Sequence, residues 1–591
     1  MGACTSRAPA VADESRPVGH TTAATACRPN NWRHQKLYAM WVLRVSDLLE
    51  IVGPPPSHEE LHRRNLLVEW RPSLLTIFVS HQWLSSWHPD PDGLQLKILQ
   101  KALQNTIDGT VNVESDVVSQ LRQQYRRLGE KERGQLANAY VWLDWFSIPQ
   151  IPNSKAELGI QSIPFYVGAC QLFVALVPPL RHFTSQQDCD LASWLSRGWC
   201  RAEMWCQLLA DRSSGDVPFI AVSGEDQIEF ALPLQWVQNP AHEGEFTCQS
   251  DRERVSGFVR TALDNKLLRL RASGQIELFR YYAARYEVLV GLPAAERDVD
   301  DFVSRFFFPS LQAAIHQRRG MGAVACAALS GDAALLCRLA AEGAPIQTRL
   351  SDMAEVGIEN GWTPLHLAIV SREESALKKL LQLQADPNTT DSFLKIPVLG
   401  LCHTTSSVKM LVEHRADVNL RPPPFFQSAL AAACNRQAPV AVTAELIRLG
   451  AEVNLSAGGT GMGPLASLAS TARSNPHCLD QLDLLIENEA DINQPCRTSG
   501  IFNIVEWLCR GYALAAGESR ETVAGLRYTA EISTTALGHA VFFGADRMVQ
   551  HLLDARADPH IPNKRGRTPA QLARHASVQQ ILHHHATCFS I

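Results

Sequence analysis

A short motif recurs along the second half of this chain, and it constrains the fold more than any other feature. Each copy places alanine before an acidic residue, and most copies end in asparagine two residues later. The copies lie at 385–388, 416–419, 451–454, 490–493 and 557–560. Their acidic positions advance by 31, 35, 39 and then 67 residues. Because the last interval is close to two periods of about 33 residues, the spacing predicts a degenerate repeat near 498–530.

The start of a repeat unit has its own signature. Residues 361–368 read Gly-Trp-Thr-Pro-Leu-His-Leu-Ala, and residues 566–573 carry Thr-Pro again in a final unit. The threonine hydroxyl can cap a helix and proline fits its first turn, while Gly or Asn near a unit's end is expected to permit a left-handed turn. This half resembles the ankyrin repeat family, which predicts an all-α solenoid over residues 321–591. The resemblance implies that the array binds a protein partner, without identifying it.

Composition limits what the rest of the chain can be. The 591 residues are 46% hydrophobic and 19% charged, which predicts several folded domains. A formal net charge of −5 offers no basic excess of the kind that binds nucleic acid. The 15 cysteines are irregularly spaced and are interpreted as reduced thiols. No apolar run reaches the roughly 18 residues that a membrane span needs, so we expect a cytoplasmic protein.

The first residues match a lipidation pattern. The chain opens Met-Gly-Ala-Cys-Thr-Ser, with glycine second and serine sixth, as N-myristoylation requires. Gly2 would carry the myristate, and Cys4 is placed to take a second, reversible chain such as palmitate. Two acyl chains would give peripheral membrane contact where one chain binds only marginally. A chance match is the alternative, and residues 1–30 are otherwise predicted to be a disordered tether.

Four short apolar runs predict buried strands in the first half. They lie at 74–79, 139–143, 172–177 and 217–222, and helical patterns separate them. Buried strands that alternate with helices predict a parallel α/β sheet covered on both faces, of the flavodoxin-like type. We assign residues 31–235 to this domain and expect residues 32–70 to be helical. Ligands of such sheets bind beyond the carboxyl ends of the strands, so the polar residues that follow these strands are the candidates for a site.

Three sequence clusters follow the predicted strands or open the next helix. They are Val-Ser-His-Gln-Trp at 79–83, Trp-Leu-Asp-Trp-Phe-Ser-Ile-Pro-Gln at 142–150, and Ser-Arg-Gly-Trp-Cys-Arg-Ala-Glu at 196–203. Their order and spacing resemble the TIR-like superfamily, including its fungal heterokaryon-incompatibility branch. That branch has Ser-His-x-Trp, then Trp-x-Asp-x-x-Cys-Ile-x-Gln, then Arg-x-Trp-x-x-x-Glu. Ser147 stands in place of the family's Cys and Ala202 in place of a frequent Gln. His81-Gln82 also differ from the Arg-Gly of plant TIR domains.

The resemblance implies a chemistry for the third cluster. In enzymatically active TIR domains, the glutamate of this motif serves NAD glycohydrolysis, and that role falls on Glu203 as the catalytic carboxylate. An acidic group there would bind ribose hydroxyls and stabilise the cation that forms as nicotinamide leaves. The substrate-binding candidates are Ser80, His81, Trp83, Asp144, Trp199 and Arg197. Most of these residues have a structural alternative: a surface acid for Glu203, a hydrogen-bonded structural role for His81, core packing for the tryptophans, a helix cap for Asp144, and surface ion pairs for Arg197.

The remaining features give a modular interpretation. Residues 236–320 are charged and helical and are predicted to connect the α/β domain to the array. No phosphate-binding loop, dinucleotide fingerprint or zinc-ligand spacing occurs, so no metal or required cofactor is expected, and NAD enters only as a substrate. We predict an intracellular signalling or defence-type protein whose array binds a partner. Its TIR-like domain would give the output by self-association or by NAD cleavage. A scaffold with an inactive α/β domain is the other alternative.

Overall fold

The structure is a computed structural model that describes most of the chain beyond residue 35. The described residues are 36–117, 120, 125–210, 219–231, 239–317, 320–351, 353, 356–392, 394–423, 427–515 and 524–588. The lipidation candidates Gly2 and Cys4 therefore lie outside the described residues. Among the described helices, none combines the length and the apolar character needed to cross a membrane.

The first half contains ten strands and nine helices among its described residues. The strands are β1 (Trp41–Arg44), β2 (Leu67–Glu69), β3 (Thr76–His81), β4 (Glu114–Ser115), β5 (Tyr140–Trp142), β6 (Leu172–Leu176), β7 (Leu180–Arg181), β8 (Asp188–Cys189), β9 (Phe219–Val222) and β10 (Ile228–Phe230). The helices are α1 (Val45–Leu49), α2 (His58–Arg63), α3 (Leu94–Ile107), α4 (Glu130–Leu136), α5 (Asp144–Ser147), α6 (Ser154–Gln161), α7 (Ile163–Ala169), α8 (Leu191–Ser196) and α9 (Gly198–Leu209).

Eight of these strands form one mixed sheet, in the order β2-β1-β5-β3-β6-β9-β10-β4. The four strands predicted from apolar runs are its parallel centre, since β3 pairs in parallel with β5 and β6, and β6 pairs in parallel with β9. Neighbouring side chains of β3 enter two separate cores, with Ile77 and Val79 in one and Phe78 in the other. The sheet is therefore covered on both faces, as its continuous apolar strands predict.

The prediction that residues 32–70 are helical on both sides of the Gly53–Pro56 break is wrong. Within the described part of this segment, β1 and β2 pair antiparallel with each other, and β1 also pairs antiparallel with β5. Only α1 and α2 are helical there. The strands are three and four residues long, so their alternation is too short to stand out against helical spacing.

A second group of helices joins the sheet domain to the repeats. It comprises α10 (Asp251–Ala272), α11 (Ile276–Ala284), α12 (Tyr286–Val290), α13 (Val299–Arg305) and α14 (Leu311–His316). Helix α10 packs against α9 of the sheet domain. One apolar core runs from Trp205 of α9 through Val259 and Phe302 into the repeats at Ala327. The segment is thus packed against both neighbours.

The repeat region is built from short helices that pack against one another in sequence. They are α15 (Ala323–Leu329), α16 (Ala333–Ala341), α17 (Pro364–Val370), α18 (Glu374–Gln382), α19 (Thr405–Glu413), α20 (Ala429–Asn435), α21 (Val440–Arg448), α22 (Pro464–Thr471), α23 (Cys478–Glu487), α24 (Ile501–Ala515), α25 (Ala524–Glu531), α26 (Ala536–Phe543), α27 (Asp546–Asp554), α28 (Pro569–Leu572) and α29 (Ala576–Cys588). A short 3-10 turn at Val398–Leu401 precedes α19.

Two backbone features repeat with the motif. The residue directly before each Ala-acidic pair has a positive φ, and these residues are Gln384, Arg415, Gly450, Glu489 and Arg556. The residue in the left-handed conformation is thus glycine in only one of the five copies. The motif asparagines form the second feature: the Oδ1 atoms of Asn388, Asn419, Asn454 and Asn493 accept hydrogen bonds from the backbone N–H groups of Asp417, Glu452, Asp491 and Asp558. Each repeat is thereby linked to the next.

This ladder shows that the degenerate repeat predicted near 498–530 is not a repeat. Asn493 bonds directly to Asp558 across the long interval, at 2.8 Å. Helix α22 likewise packs directly on α26. Helices α24 and α25, which pack on each other, are therefore an insertion between two stacked units. The interval near twice the repeat length arises because the hairpin adds about one unit's length of chain.

The array folds back onto the sheet domain. Arg473 donates to Ser223 Oγ at 2.8 Å and pairs with Glu229 at 3.0 Å. Arg547 pairs with Asp188 at 3.3 Å and with Asp190 at 3.4 Å. The inserted hairpin adds a small apolar cluster, which consists of Val117 from the sheet domain with Tyr528, Ile532 and Phe542.

Candidate active site

The strand order places the candidate residues at a crevice. The central strands lie in the order β5-β3-β6-β9. The next central strand after β3 in the chain, β5, lies on one side of it, and the following one, β6, lies on the other side, so the direction of strand addition reverses at β3. Ligands of such sheets bind at this reversal, beyond the strand carboxyl ends. Ser80 and His81 are the last residues of β3, and Asp144 opens α5 just after β5. Glu203 lies on α9, and its carboxylate reaches the same edge.

His81 and Asp144 form a partly buried ion pair. His81 Nε2 donates to Asp144 Oδ1 at 3.0 Å, and His81 Nδ1 donates to Gln95 Oε1 at 2.7 Å. Gln95 is oriented by a bond from its own Nε2 to the Gln82 carbonyl at 2.9 Å. The His81 side chain is only 4% exposed, whereas Asp144 is 28% exposed. Because both ring nitrogens face oxygen acceptors, the site favours the protonated imidazolium.

Trp83 completes this pair. Its Nε1 donates to Asp144 Oδ2 at 2.9 Å, so both carboxylate oxygens are bonded to side chains. The Trp83 ring meets Trp145 edge to face, with ring centroids 5.6 Å apart. Asp144 Oδ1 also accepts from the Trp145 backbone N–H at 2.7 Å. The carboxylate is thereby held in one orientation.

Glu203 is held by a separate chain of hydrogen bonds. Trp194 Nε1 donates to Ser80 Oγ at 3.0 Å, and Ser80 Oγ donates to Glu203 Oε2 at 2.5 Å. Trp194 and Ser80 are both buried. Helix α8 supplies Trp194, and its first turn is capped by Asp190. The Ser80 hydroxyl therefore joins the end of β3 to helix α8 and to helix α9.

The two acids of the site titrate in opposite directions. Burial raises the pKa of Glu203 to about 8, and the Asp144 charge adds to this, while the Ser80 hydrogen bond and His81 oppose it. Burial also disfavours the charged Asp144, but His81 and Trp83 outweigh it and hold the pKa of Asp144 below its ordinary value. Burial lowers the pKa of His81, yet Asp144 and Gln95 bring that pKa above its ordinary value. At neutral pH the site thus holds an imidazolium–carboxylate pair beside a largely protonated Glu203.

Two cysteines flank Glu203 on the same helix. Cys200 and Cys206 are both buried, and burial raises the pKa of each thiol far above its ordinary range. A thiol rather than a thiolate is a poor nucleophile. Neither cysteine is therefore a candidate nucleophile. Within the described part of the chain, no group of three or more His, Cys, Asp or Glu side chains is arranged to hold a metal ion.

Two of the predicted substrate-binding residues lie away from this cluster. Trp199 donates from Nε1 to Asp251 Oδ2 at 2.9 Å, and its ring packs against Phe258 of α10. Arg197 donates from Nη2 to Thr247 Oγ1 at 3.1 Å. The structure thus brings together Ser80, His81, Trp83, Asp144 and Glu203, while Trp199 and Arg197 contact the chain that leads into α10.

Gln95 and Trp194 belong to the cluster but were not among the residues predicted from the sequence. Trp194 precedes the third cluster by a few residues, and the Asp190-x-x-Ser193 capping box would have placed it on its own helix. Nothing in the sequence distinguishes Gln95 from any other glutamine of an amphipathic helix. Its role depends on a contact with His81, 14 residues earlier, that only the packing of α3 on the sheet creates.

Comparisons with known proteins bear on the repeat region. The family model "Ankyrin repeat" matches residues 360–392. Among solved structures, the ankyrin repeat domain of Bcl-3, a unique member of the IkappaB protein family, is 20% identical, with 44% of this chain and 97% of that chain covered and a TM-score of 0.30. The human ASB11 ankyrin repeat domain is 19% identical, with 44% and 96% covered and a TM-score of 0.31. No curated protein matches. The family model thus identifies an ankyrin repeat at residues 360–392, and ankyrin repeats are typical of protein–protein interaction.

Proposed function

We propose that the sheet domain is TIR-like and cleaves NAD, and that the ankyrin array binds a protein partner that controls it. One observation carries the catalytic part. Glu203 is a carboxyl of strongly raised pKa, bonded to Ser80 at the carboxyl edge of the parallel sheet, beside the His81–Asp144 pair. An acid whose pKa is perturbed by burial and by a specific partner in such a crevice is a candidate for a functional site.

The reaction needs a carboxylate where positive charge develops. The bond between ribose and nicotinamide breaks with its electron pair passing to the ring nitrogen, so that neutral nicotinamide leaves. The ribose carbon becomes cationic, and ionised Glu203 would stabilise it and bind a ribose hydroxyl. Water then adds to that carbon and loses a proton. The products are nicotinamide, ADP-ribose and one proton.

The raised pKa of Glu203 fits this reaction rather than opposing it. In the free protein the acid keeps its proton because burial penalises the charge. NAD brings a positively charged nicotinamide ring, and an adjacent cation favours the ionised form of an acid. Substrate binding would therefore ionise Glu203 where the charge is needed. The buried Ser80 hydroxyl, which donates to Glu203, would stabilise the resulting anion.

The array is positioned to influence this site. A small cleft lies between the two parts and is lined by Val177 and Ser223, which follow β6 and β9, and by array residues including Arg473 and Arg547. Arg547 pairs with Asp190, the N-cap of α8, and α8 holds Trp194 on Ser80. A partner that displaced the array from Asp190 would alter the support of Glu203. This contact provides the route for regulation.

Nicotinamide release by the full-length protein tests the proposal. Purified protein is incubated with NAD at pH 8, and nicotinamide and ADP-ribose are separated by chromatography. We expect turnover that Glu203→Gln reduces by roughly a hundred-fold or more, as for other groups that stabilise transition-state charge. Glu225→Gln is the matched control, because Glu225 is exposed whereas the Glu203 carboxyl is held by Ser80. Equal turnover in wild type and Glu203→Gln would refute the assignment. No turnover at several protein concentrations, with the fold intact, would favour an output by self-association.

A further inference from the structure

Two loops at the crevice carry exposed aromatic side chains. The first loop follows β3 and holds Trp87, and the second is the β7–β8 hairpin after β6, which holds Phe183. These side chains are 60% and 56% exposed. Because β3 and β6 are neighbouring parallel strands, both loops leave the same edge of the sheet. Large aromatic rings bury most of their surface in ordinary packing, so this exposed pair needs another explanation.

The loops beneath the two rings hold them together. The Phe183 backbone N–H donates to the Leu84 carbonyl at 2.6 Å, which ties the hairpin to the loop after β3. Ser85 Oγ donates to the His88 carbonyl at 2.7 Å, which closes that loop around Trp87. The two ring planes meet at 87°, with their centroids 6.5 Å apart. The rings therefore form a corner, in which a flat group stacked on one ring would turn its edge toward the other.

A continuous series of rings joins this corner to the candidate site. Trp83, which donates to Asp144, meets Trp145 with centroids 5.6 Å apart. Trp145 meets His88 at 4.7 Å, and His88 meets Trp87 at 5.8 Å. The Asp144 carboxylate thus lies at the inner end of the series and the exposed corner at its outer end. The corner extends the candidate site outward along one wall.

We propose that the corner of Trp87 and Phe183 stacks the adenine ring of the substrate, an inference that rests on the proposed cleavage of NAD. NAD has a flat ring at each end. The nicotinamide end must lie at Glu203, because the bond that breaks joins nicotinamide to its ribose. The adenine end then extends away from Glu203. Stacking on aromatic side chains is a common way for proteins to hold a base, because every base has an aromatic face.

Arg197 supports the same direction. It lies between α8 and α9. Burial lowers the pKa of His182, which precedes Phe183, and the Arg197 charge lowers it further. Burial and Glu203 raise the pKa of the Cys200 thiol, and the Arg197 charge opposes them. A guanidinium that acts on both the hairpin and helix α9 is placed to bind the pyrophosphate between the two ends of NAD.

Calorimetric titration of the full-length protein tests the adenine site without any bond cleavage. ADP-ribose carries adenine without nicotinamide, and nicotinamide mononucleotide carries nicotinamide without adenine. We expect Trp87→Ala to weaken the binding of ADP-ribose by roughly 5- to 100-fold, as for other bases that lose a stacking partner. The binding of nicotinamide mononucleotide should not change. Trp87→Phe keeps a ring and should recover most of the affinity for ADP-ribose.

Trp507→Ala is the matched control. Trp507 is also an exposed tryptophan, at 69%, but it lies on α24 of the inserted hairpin. This variant should bind both ligands as the wild type does. Circular dichroism checks the fold of each variant.

Three outcomes would overturn the adenine site. The first is a wild type that does not bind ADP-ribose at about 1 mM, the upper end of ordinary substrate affinities. The second is a Trp87→Ala variant that binds ADP-ribose as the wild type does. The third is an equal loss for nicotinamide mononucleotide, since the corner would then hold the other ring.

These outcomes are distinct from those that concern cleavage. An affinity for ADP-ribose that depends on Trp87, without any release of nicotinamide from NAD, would retain the adenine site and refute the reaction. Release of nicotinamide that depends on Glu203, with an unchanged affinity for ADP-ribose in Trp87→Ala, would retain the reaction and refute the adenine site.

Discussion

Replacing Glu203 with glutamine is predicted to stabilise the protein, and the gain should grow with pH. Burial raises the pKa of Glu203 from an ordinary 4.5 to about 8. Between these pH values the folded protein keeps a proton that the unfolded chain releases. The unfolded state therefore binds fewer protons, and stability falls as pH rises through this window. Glutamine never ionises, and its Oε1 can still accept the hydrogen bond from Ser80.

The magnitude follows from the same values. Each pH unit within the window costs about 1.4 kcal/mol of the free energy of unfolding. Compared with a variant whose side chain stays neutral, the wild type should have a free energy of unfolding that is lower by roughly 3 kcal/mol at pH 7 and by less than about 1 kcal/mol at pH 5. For a domain of about 200 residues, such as the sheet domain, a difference of about 3 kcal/mol in the free energy of unfolding shifts the melting temperature by on the order of 6 °C. Glu203→Gln should therefore melt higher than the wild type by about this amount at pH 7.

Thermal unfolding at pH 5, 6, 7 and 8 provides the assay. The wild type, Glu203→Gln and Glu225→Gln are compared in the same buffers. We expect the Glu203→Gln curve to diverge upward from the wild type as pH rises, and the Glu225→Gln curve to follow the wild type. If Glu203→Gln melts with the wild type at every pH, Glu203 is not a buried acid of raised pKa, and the reasoning fails.

Three further predictions concern other contacts. Asp144→Asn removes the carboxylate that raises the pKa of His81, so an NMR titration should show that pKa fall; an unchanged value contradicts the ion pair. Asn454→Ala removes the bond accepted from the backbone of Asp491 and should lower the free energy of unfolding by about 1 kcal/mol in urea, where no change would argue against the ladder. Arg547→Ala should increase hydrogen exchange in α8, whose N-cap it contacts, and unaltered protection would exclude that coupling.

The sequence predicts the regular parts of this fold because their signals are local. Each repeat needs the same left-handed turn and the same asparagine bridge, so the motif returns in each unit, although the intervals between copies vary. The four central strands are buried on both faces, and their continuous apolar runs report that burial directly. Ser80, His81 and Asp144 were placed at one edge because parallel strands share their carboxyl ends.

What the sequence could not predict depends on long-range packing. The inserted hairpin carries helical periodicity like a repeat, and only the bond from Asn493 to Asp558 shows that the stack passes over it. Motif spacing places Trp199 near Glu203 in the chain. In the fold, however, α10 packs beside α9, and Trp199 donates its hydrogen bond to Asp251 of α10. Trp194 joins the site for the same reason, since its bond to Ser80 spans 114 residues.

The pH dependence of nicotinamide release tests the central claim most directly. If ionised Glu203 is the group that stabilises the ribosyl cation, kcat/KM should rise with pH and level off near the pKa of about 8 in the free protein. Below that pH the rise should approach ten-fold per unit, and Glu203→Gln should lack it. A profile that is flat between pH 6 and 9, or that falls as pH rises, would contradict the account.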